Sequence, residues 1–403
     1  MSVLNILEEK LAETKKQGRF REFLNLERGV QDKPWATSHG HHGERRLNVW
    51  CSNDYLAMSH HPKVLLATTE AVNRVGLGTC GARSISGTSV YHSELETLLA
   101  SAYGKESALL FTTGFGANDA TLSTLCDAIL DLIVFSDELN HASLIYGIRY
   151  SKAEKKIFRH NDVAHLAELL QAADPARPKL IAFESLYSMD GDFAPLAQIV
   201  ALAEQYQALT YLDEIHSAGV YGERGLGYAE QLGLLDKITI IQGGFGKSYG
   251  AAGGYIAAPR SVVEAVRSWA PAFVFSTSSP APVVAAALAS FKYNLEHDTQ
   301  RKHLLAIVDH LKTGLRAAGI PLVSADSHIL PLRVGDPHRN KHISKVLLDE
   351  HDIYVQPVNA PTVPAGSERL RVTPTSAHSH ADVETFLAAL GRVWAANDLR
   401  RAG

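Results

Sequence analysis

The sequence predicts an α/β protein whose larger part is a mostly parallel β-sheet covered by helices. Short apolar segments, which we interpret as buried strands, occupy residues 109–111, 132–135, 180–183, 209–212, 238–241 and 255–258. Helical patterns such as 165–172 and 196–206 lie between several of them. Short apolar strands that alternate with helices are typical of parallel sheets buried on both faces.

The chain changes character after about residue 290, where a smaller α+β domain is expected. Helical patterns cover 291–318, 343–350 and 381–397, and short strands are predicted at 329–332, 354–355 and 370–372. Near the start, Leu4, Leu7 and Leu11 mark a helix that we interpret as a packing arm between subunits. We therefore predict an N-terminal helix and arm over 1–50, a large domain over 51–290 and a small domain over 291–403.

Composition excludes several classes of protein. The 403 residues are 46% hydrophobic and 20% charged with a net charge of −4, which is typical of a globular protein and gives no basic field for nucleic acid. Cys51, Cys80 and Cys126 are odd in number, so we expect free thiols in a reducing compartment. The longest apolar run, 281–289, is too short to span a bilayer, and residues 1–21 lack a signal-peptide core. We expect a cytoplasmic protein without a membrane or nucleic-acid partner.

The histidine-rich segment at residues 39–46 has two interpretations. It reads His-Gly-His-His-Gly-Glu-Arg-Arg and could hold a metal ion. Its glycines and its lack of helical spacing favour an exposed loop instead. We predict that the protein binds no metal.

Lys247 is surrounded by glycines and follows a predicted strand. Such neighbours would favour the neutral amine, which acts as a nucleophile or a base. Only three residues separate Gly243 from Lys247, so the four-residue spacer of a P-loop is absent. A tight turn with a solvated lysine is the alternative interpretation.

Polar residues follow the other predicted strands. Asp213 and His216 come after 209–212, and an acid at the end of a buried strand needs a partner. His141 follows 132–135 and could stack on a planar ligand or cap a helix. Gly114 opens a helix after 109–111, which would make either a phosphate seat or a plain turn. The carboxyl ends of parallel strands share one edge, where ligands bind.

This set of residues matches the needs of pyridoxal phosphate. The cofactor requires a lysine for its Schiff base, an acid against its pyridine nitrogen, a phosphate seat and a group that clamps its ring. Asp213 and Lys247 are 34 residues apart, which allows a helix and a further strand between them. The sequence therefore predicts a pyridoxal-phosphate enzyme.

Longer motifs carry a resemblance to a known family. They are Trp-Cys-Ser-Asn-Asp-Tyr-Leu at 50–56, Ile-Ser-Gly-Thr at 85–88, Asn-His-Ala-Ser at 140–143, Ile-Phe-Arg-His-Asn-Asp-Val at 157–163, Ser-Met-Asp-Gly at 188–191, Asp-Glu at 213–214, Gly-Gly-Tyr-Ile-Ala at 253–257 and Pro-Thr-Val-Pro at 361–364. From about residue 5 to residue 394, the chain resembles the α-oxoamine synthases, fold-type I pyridoxal-phosphate enzymes that condense an amino acid with an acyl-CoA. The motifs at 158–163 and 361–364 are similar to the branch that forms 5-aminolevulinate from glycine and succinyl-CoA.

The resemblance implies a fold, an activity and an assembly. The fold would have a large domain with a seven-stranded, mostly parallel sheet and a smaller C-terminal α+β domain. The activity would be the first step of tetrapyrrole and heme biosynthesis, in a homodimer with a shared active site. The alternatives are a variant synthase of secondary metabolism, using another acyl-CoA or cyclising its product, and a non-catalytic homologue.

The resemblance also implies cofactor contacts. Lys247 would form the Schiff base and later move protons, Asp213 would pair with the pyridine nitrogen, and His141 would stack on the ring. The remaining cofactor contacts would be His216 and Ser188 at the ring hydroxyl, Gly114 and Phe115 at the phosphate, and Ser276 and Thr277 at the phosphate of the partner subunit.

Substrate contacts are implied in the same way. Arg371 would hold the amino-acid carboxylate, a task suited to guanidinium. Arg21 and Asn53 would receive the carboxylate of the acyl chain, Lys155 would contact CoA, and Thr362 would lie in a mobile lid.

The chain departs from this branch at four positions. Gly244 stands where threonine usually helps hold the cofactor phosphate, and Ala82 where threonine lines the pocket for the acyl carboxylate. Ser84 replaces an asparagine, and Ala360 an aromatic residue before the lid. The first change concerns cofactor affinity, and the other three concern the choice of acyl donor.

Overall fold

The structure is a computed structural model that describes residues 2–40 and 43–397. The described residues form two compact units. The first unit comprises the chain through Asn53, Met189–Asp192, and the chain from Lys302 onward; the second comprises Asp54–Ser188 and Phe193–Arg301. The predicted division at residues 50 and 290 stays a prediction.

The described residues form fourteen β-strands and fourteen α-helices. The strands are β1 (Leu26–Glu27), β2 (Trp35–Gly40), β3 (Gly43–Val49), β4 (Ser107–Phe111), β5 (Ile133–Asp137), β6 (Glu154–Phe158), β7 (Lys179–Glu184), β8 (Leu209–Asp213), β9 (Ile240–Gly244), β10 (Gly254–Ala258), β11 (Leu330–Arg333), β12 (Ile353–Tyr354), β13 (Gln356–Val358) and β14 (Arg369–Val372). The α-helices are α1 (Val3–Lys16), α2 (Pro62–Val75), α3 (Val90–Tyr103), α4 (Gly114–Ala128), α5 (Ala142–Arg149), α6 (Val163–Gln171), α7 (Leu196–Gln205), α8 (Tyr228–Gln231), α9 (Arg260–Trp269), α10 (Pro271–Val274), α11 (Ala281–Glu296), α12 (Thr299–Ala317), α13 (Pro337–His351) and α14 (His380–Ala396). None of the helices in the described part of the chain has both the length and the apolar character that a bilayer crossing requires.

The second unit is built on a seven-stranded sheet in the order β4-β10-β9-β8-β7-β5-β6. Strand β10 is antiparallel to both of its neighbours, and the remaining pairs are parallel, which confirms the predicted mostly parallel sheet. Strand β6 was missed because its residues Glu154, Lys155 and Lys156 interrupt the apolar pattern. Strand β6 lies at the edge of the sheet, and its residues Lys155 and Ile157 are exposed.

Two apolar cores lie on opposite faces of this sheet. Phe135, Phe183 and Leu212 belong to one buried cluster, whereas their chain neighbours Val134 and Ala182 belong to the other. Successive side chains of a strand point to opposite faces, so a strand buried on both faces carries apolar residues at consecutive positions. This is why the sequence showed continuous apolar runs rather than alternation.

The strand register shows which residues lie at the edge of the sheet where β7 and β8 end. Asp213, the last residue of β8, pairs with Glu184 of β7 and with Gln242 of β9. Gly254 at the start of β10 pairs with Gly244 of β9 and with Phe111, the last residue of β4. The turn after β9 and the start of α4 therefore emerge at the edge where β7 and β8 end.

The first unit contains two smaller sheets, of order β1-β2-β3-β12 and β11-β14-β13. Its core includes Trp50, which stacks on Phe386 at 4.4 Å between ring centroids. The exposed loop expected at residues 39–46 is wrong for the described residues, because β2 and β3 pair there and His39 contacts Glu27 and Glu44. His41 and His42 lie outside the described residues, and the described part of the chain contains no cluster of His, Cys, Asp or Glu fit for a metal ion.

The long helix expected over 291–318 is interrupted. Helix α11 ends at Glu296, and His297 has extended backbone angles of φ −134° and ψ 137°. Helix α12 then begins at Thr299. The apolar periodicity continues on both sides of the break, so the pattern alone could not locate it.

Candidate active site

Asp213 is a buried acid at the carboxyl end of β8, with only 3% of its surface exposed. One carboxylate oxygen, Oδ1, accepts the Ile215 N–H at 2.8 Å, and Oδ2 accepts Nδ2 of Asn118 at 2.7 Å. Burial raises the pKa of Asp213, and these two hydrogen bonds and the charges of His141 and Lys247 oppose the rise. A buried carboxylate held by neutral donors fits a cationic partner such as a protonated pyridine nitrogen.

Lys247 lies in a tight turn directly after β9. The turn is closed by the N–H of Gly250, which donates to the Lys247 carbonyl at 3.0 Å, and by the N–H of Ala251, which donates to the Phe245 carbonyl at 2.9 Å. Gly250 has φ +62°, and a Cβ there would overlap the backbone of Ser59, so only glycine fits. Lys247 is half-buried rather than fully solvated. Its charge lowers the pKa of both Asp213 and His141.

His141 caps helix α5. Its Nδ1 accepts hydrogen bonds from the Ser143 N–H at 3.2 Å and from the Ser143 hydroxyl at 2.7 Å. Its own backbone N–H donates to a carboxylate oxygen of Glu184 at 2.5 Å. Burial lowers the pKa of His141, the charge of Asp213 raises it, and that of Lys247 lowers it. The capping role is thus present, and stacking on a ring stays a prediction.

His216 and Ser188 are buried beside the same edge, with 5% and 8% of their surfaces exposed. Nδ1 of His216 lies 2.8 Å from the hydroxyl of Tyr55. The turn that carries His216 is anchored by Glu214, whose carboxylate accepts the Ser185 hydroxyl at 2.6 Å and two backbone N–H groups of the α8 region. The predicted contact of His216 and Ser188 with a ring hydroxyl is not tested by these distances.

The start of α4 has the geometry of an anion site. Thr113 caps the helix, with its Oγ1 accepting the Gly116 N–H at 2.9 Å. Gly114 and Phe115 occupy the first helical positions, where N–H groups have no acceptor within the helix and the helix dipole is positive. This geometry suits an anion, and the predicted contact of the two residues with a phosphate stays a prediction.

Ser276 and Thr277 belong to the same unit and line one cavity together with Thr112 and Gly116. The backbone of Thr277 forms an antiparallel bridge with Ala82, so these two predicted contacts share one surface. Ser84 and Thr277 are exposed, and Ala82 and Ser276 are half-buried.

The absence of threonine at Gly244 has a structural explanation. A Cβ at Gly244 would lie 2.6 Å from Cδ1 of Ile215, and a Cβ at Gly114 would lie 2.5 Å from the same atom. Both distances are too short for real carbon atoms in contact. The Ile215 side chain therefore packs against two glycines and occupies space that a threonine at position 244 would need.

In the first unit, the predicted substrate residues form two contacts. Nη1 of Arg371 donates to Oδ1 of Asn53 at 3.0 Å, and Nη2 of Arg21 donates to the hydroxyl of Thr362 at 2.8 Å. Arg371 lies on β14 with 8% of its surface exposed. Arg371 is thus held by Asn53 and Arg21 by Thr362, and both partners are themselves predicted substrate contacts.

Lys155 lies on the edge strand β6 of the second unit. Its Nζ donates to the carbonyls of Arg149 and Ser151, both at 2.9 Å. The side chain is exposed, and its predicted contact with CoA stays a prediction.

Several residues that hold the side chains of the candidate site were not predicted from the sequence. Asn118, Ser143 and Glu184 bond Asp213 or His141, and Tyr55 bonds His216. Asn118 could have been found from its spacing, because it follows Gly114 by four residues and so shares its helix face. Tyr55 and Ser143 lie inside quoted motifs, but nothing in their spacing indicated their partners.

Comparison with known proteins agrees with this geometry. Residues 46–390 match the family described as Aminotransferase class I and II. The chain is 48% identical to the 5-aminolevulinate synthase of Rhodobacter capsulatus over 96% of this chain and 95% of that protein, and 48% identical to that of Paracoccus denitrificans over 98% of both. A solved structure described as SPT with PLP internal aldimine is 31% identical, with a TM-score of 0.92, over 99% of this chain and 100% of that chain. The chain therefore belongs to the class I and II aminotransferase family and, within it, to the 5-aminolevulinate synthases.

Proposed function

We propose that the protein condenses glycine with succinyl-CoA to give 5-aminolevulinate, CoA and CO₂, with pyridoxal phosphate as its cofactor. Full-length relatives at 48% identity support this activity and do not favour a variant synthase or a non-catalytic homologue. The observation that carries the proposal is geometric. Asp213 ends β8, the turn of Lys247 follows the neighbouring strand β9, and the N–H of His141 donates to Glu184, which pairs with Asp213.

The residues present fit the cofactor. Asp213 offers a buried carboxylate, and the start of α4 offers N–H groups to a phosphate. When bound, the cofactor supplies an electron-accepting ring that stabilises negative charge on the substrate carbon next to the amino group. We assign Asp213 to hold a proton at the ring nitrogen, and His141 to lie over the ring.

Lys247 has two tasks in this proposal. Its Nζ is the group that would hold the cofactor, and the same atom removes a proton from Cα of glycine and later returns one. Arg371 binds the glycine carboxylate, a bidentate acceptor that matches the guanidinium. His216 and Ser188 donate to, or accept from, the ring hydroxyl and so keep the ring in one orientation.

The acyl donor is recognised by its terminal carboxylate. Arg21 and Asn53 are assigned to this group, and the contact of Arg21 with Thr362 connects it to the predicted lid. Ala82 and Ser84 are smaller than the threonine and asparagine of related enzymes and leave room beside the carboxylate. Lys155 is assigned to CoA.

A homodimer with shared active sites completes the proposal. Phe275, directly before Ser276, is 84% exposed, and we assign its side chain to the contact with the other subunit. Because Ala82 is bridged to Thr277, a dimer that delivers Ser276 and Thr277 to the partner's phosphate delivers Ala82 with them.

A donor panel tests the proposed activity. Purified protein with added cofactor and glycine is given succinyl-, glutaryl-, butyryl- and acetyl-CoA, and free CoA and product mass are measured. We expect the highest kcat/KM with succinyl-CoA and a product of the mass of 5-aminolevulinate. A higher kcat/KM with any of the other three acyl-CoA donors would contradict the assignment of the substrate.

A further inference from the structure

Asn118 lies at the centre of a buried hydrogen-bond chain behind the proposed cofactor site. Its side chain is 1% exposed. Nδ2 donates to Oδ2 of Asp213 at 2.7 Å and to the hydroxyl of Ser143 at 2.9 Å, and Oδ1 accepts the hydroxyl of Tyr211 at 2.8 Å. The Ser143 hydroxyl in turn lies 2.7 Å from Nδ1 of His141.

The buried phenol at one end of this chain and the carboxylate at the other assign the directions of its bonds. Tyr211 is fully buried, and burial raises the pKa of its phenol well above the usual value, so the phenol keeps its hydrogen and donates it to Asn118. The opposite orientation of the amide would point Oδ1 at the Asp213 carboxylate, and two acceptors would then face each other. Nδ2 therefore faces Asp213, and its second hydrogen goes to Ser143. Ser143 can then donate its own hydrogen to Nδ1 of His141, which also accepts the Ser143 N–H.

We propose that Asn118 is a positioning residue that holds Asp213 in its ionised form and orients it and His141 together. The inference rests on the proposed function, because it takes Asp213 to be the partner of the cofactor nitrogen. The amide donor stabilises the carboxylate form and not the protonated form, because a protonated carboxyl would offer a weaker acceptor. It therefore favours the state in which the shared proton sits on the cofactor nitrogen.

The place of Asn118 on α4 gives this role a second consequence. Gly114 begins the helix at the proposed phosphate seat, and Asn118 lies one turn later on the same face. One rigid helix thus carries contacts for both ends of the cofactor. The distance between the phosphate seat and the acid is set by helix geometry rather than by a loop.

The test measures the protonation of the cofactor nitrogen directly. Wild type, Asn118→Ala, Tyr211→Phe and Asn294→Ala are loaded with pyridoxal phosphate carrying ¹⁵N in its ring, and the ¹⁵N chemical shift is recorded by solid-state NMR at neutral pH. Asn294 is the matched control, because it is a buried asparagine of α11 whose Nδ2 donates to the Ser290 carbonyl. Circular dichroism checks the fold of each variant, and equilibrium dialysis gives its cofactor affinity.

We expect a protonated nitrogen in wild type and in Asn294→Ala. In Asn118→Ala the ratio of protonated to unprotonated nitrogen should fall about tenfold or more, since a hydrogen bond to a charged group is lost. Tyr211→Phe should move the shift in the same direction by less, because the amide keeps its place but loses the bond that orients it. Tyr211→Phe decides the matter if Asn118→Ala does not fold.

Two results would overturn the inference in different ways. If wild type shows a protonated nitrogen and both variants match it, Asn118 is only a packing residue and the proposed function stands. If wild type binds no cofactor or shows an unprotonated nitrogen, the proposed function fails and the role of Asn118 fails with it.

Discussion

At the scale of single residues, Lys247 allows the simplest test. It lies in a glycine-rich turn after β9, and its charge lowers the pKa of both Asp213 and His141. We predict that Lys247→Ala abolishes turnover and leaves the circular dichroism spectrum unchanged, because the turn is closed by backbone bonds that do not need the amine. Lys237→Ala is the matched control, since Lys237 forms an exposed ion pair with Glu204 and such pairs contribute little. Substantial 5-aminolevulinate formation by Lys247→Ala would end its assignment as the reactive lysine.

Ala82 concerns the choice of acyl donor. A threonine at this position would offer a hydroxyl to the acyl carboxylate, and a hydrogen bond to a charged group contributes about 1.5–3 kcal/mol, or roughly ten- to a hundredfold in affinity, unless water replaces it. We predict that Ala82→Thr raises the ratio of succinyl-CoA to butyryl-CoA turnover about tenfold. Ala82→Val has nearly the same shape without the hydroxyl and should leave the ratio low. An unchanged or lower ratio for Ala82→Thr would mean that the pocket is built around the alanine.

At the scale of elements, the ends of β8 and β9 are packed as a pair. Ile215 follows β8 and fills the space above Gly244, the last residue of β9. We predict that Gly244→Thr alone lowers stability by about 1–3 kcal/mol through overpacking and weakens binding of pyridoxal phosphate. Adding Ile215→Val removes Cδ1 but keeps Cγ1, which lies 2.8 Å from the Cβ position, and should therefore restore part of both losses.

Thermal melting and equilibrium dialysis of wild type, both single variants and the double variant measure this coupling. Ile215→Val alone is the control for the lost methylene group, which should cost about 0.5–1.5 kcal/mol. Additive effects of the two substitutions would contradict the packing account, because residues in contact are expected to couple.

The elements differ in how far the sequence could predict them. Strands β5, β7 and β10 each contain at least three consecutive apolar residues, and β8 is apolar at three of its five positions, so these strands were visible. The edge strand β6 and the hairpin of β2 and β3 carry charged and polar residues, so their pattern resembled loops. Asp213 and Lys247 were predictable because each follows an apolar strand. The helical spacing of Asn118 after Gly114 was available in the sequence, whereas Tyr55 was not predictable, because hydrogen bonds between distant parts of the chain leave no periodic signal.

At the scale of the whole molecule, the account predicts active sites shared between two subunits. Lys247 would act with Ser276 and Thr277 of the other subunit, so a mixed dimer can rebuild one complete site from two inactive chains. We predict that Lys247→Ala and a Ser276→Ala, Thr277→Val double variant, inactive alone, regain about a quarter of wild-type activity when refolded together in equal amounts, as random pairing in a two-fold dimer requires.

Sedimentation and activity on serial dilution accompany this experiment. Activity per chain should fall as the dimer dissociates. Refolding Lys247→Ala with itself is the control and should restore nothing. Full activity in a monomer, or no recovery in the mixture despite dimer formation, would contradict the shared site.

The central claim is that the protein joins glycine to a succinyl group and removes the glycine carboxyl. The most direct measurement is mass spectrometry of the product formed from succinyl-CoA and glycine labelled with ¹³C at one carbon. The account predicts 5-aminolevulinate that carries the label from C2 of glycine and none from C1, with labelled CO₂ released in the second case, all absent in Lys247→Ala. A product that retains the C1 label, or no product from succinyl-CoA, would contradict the account.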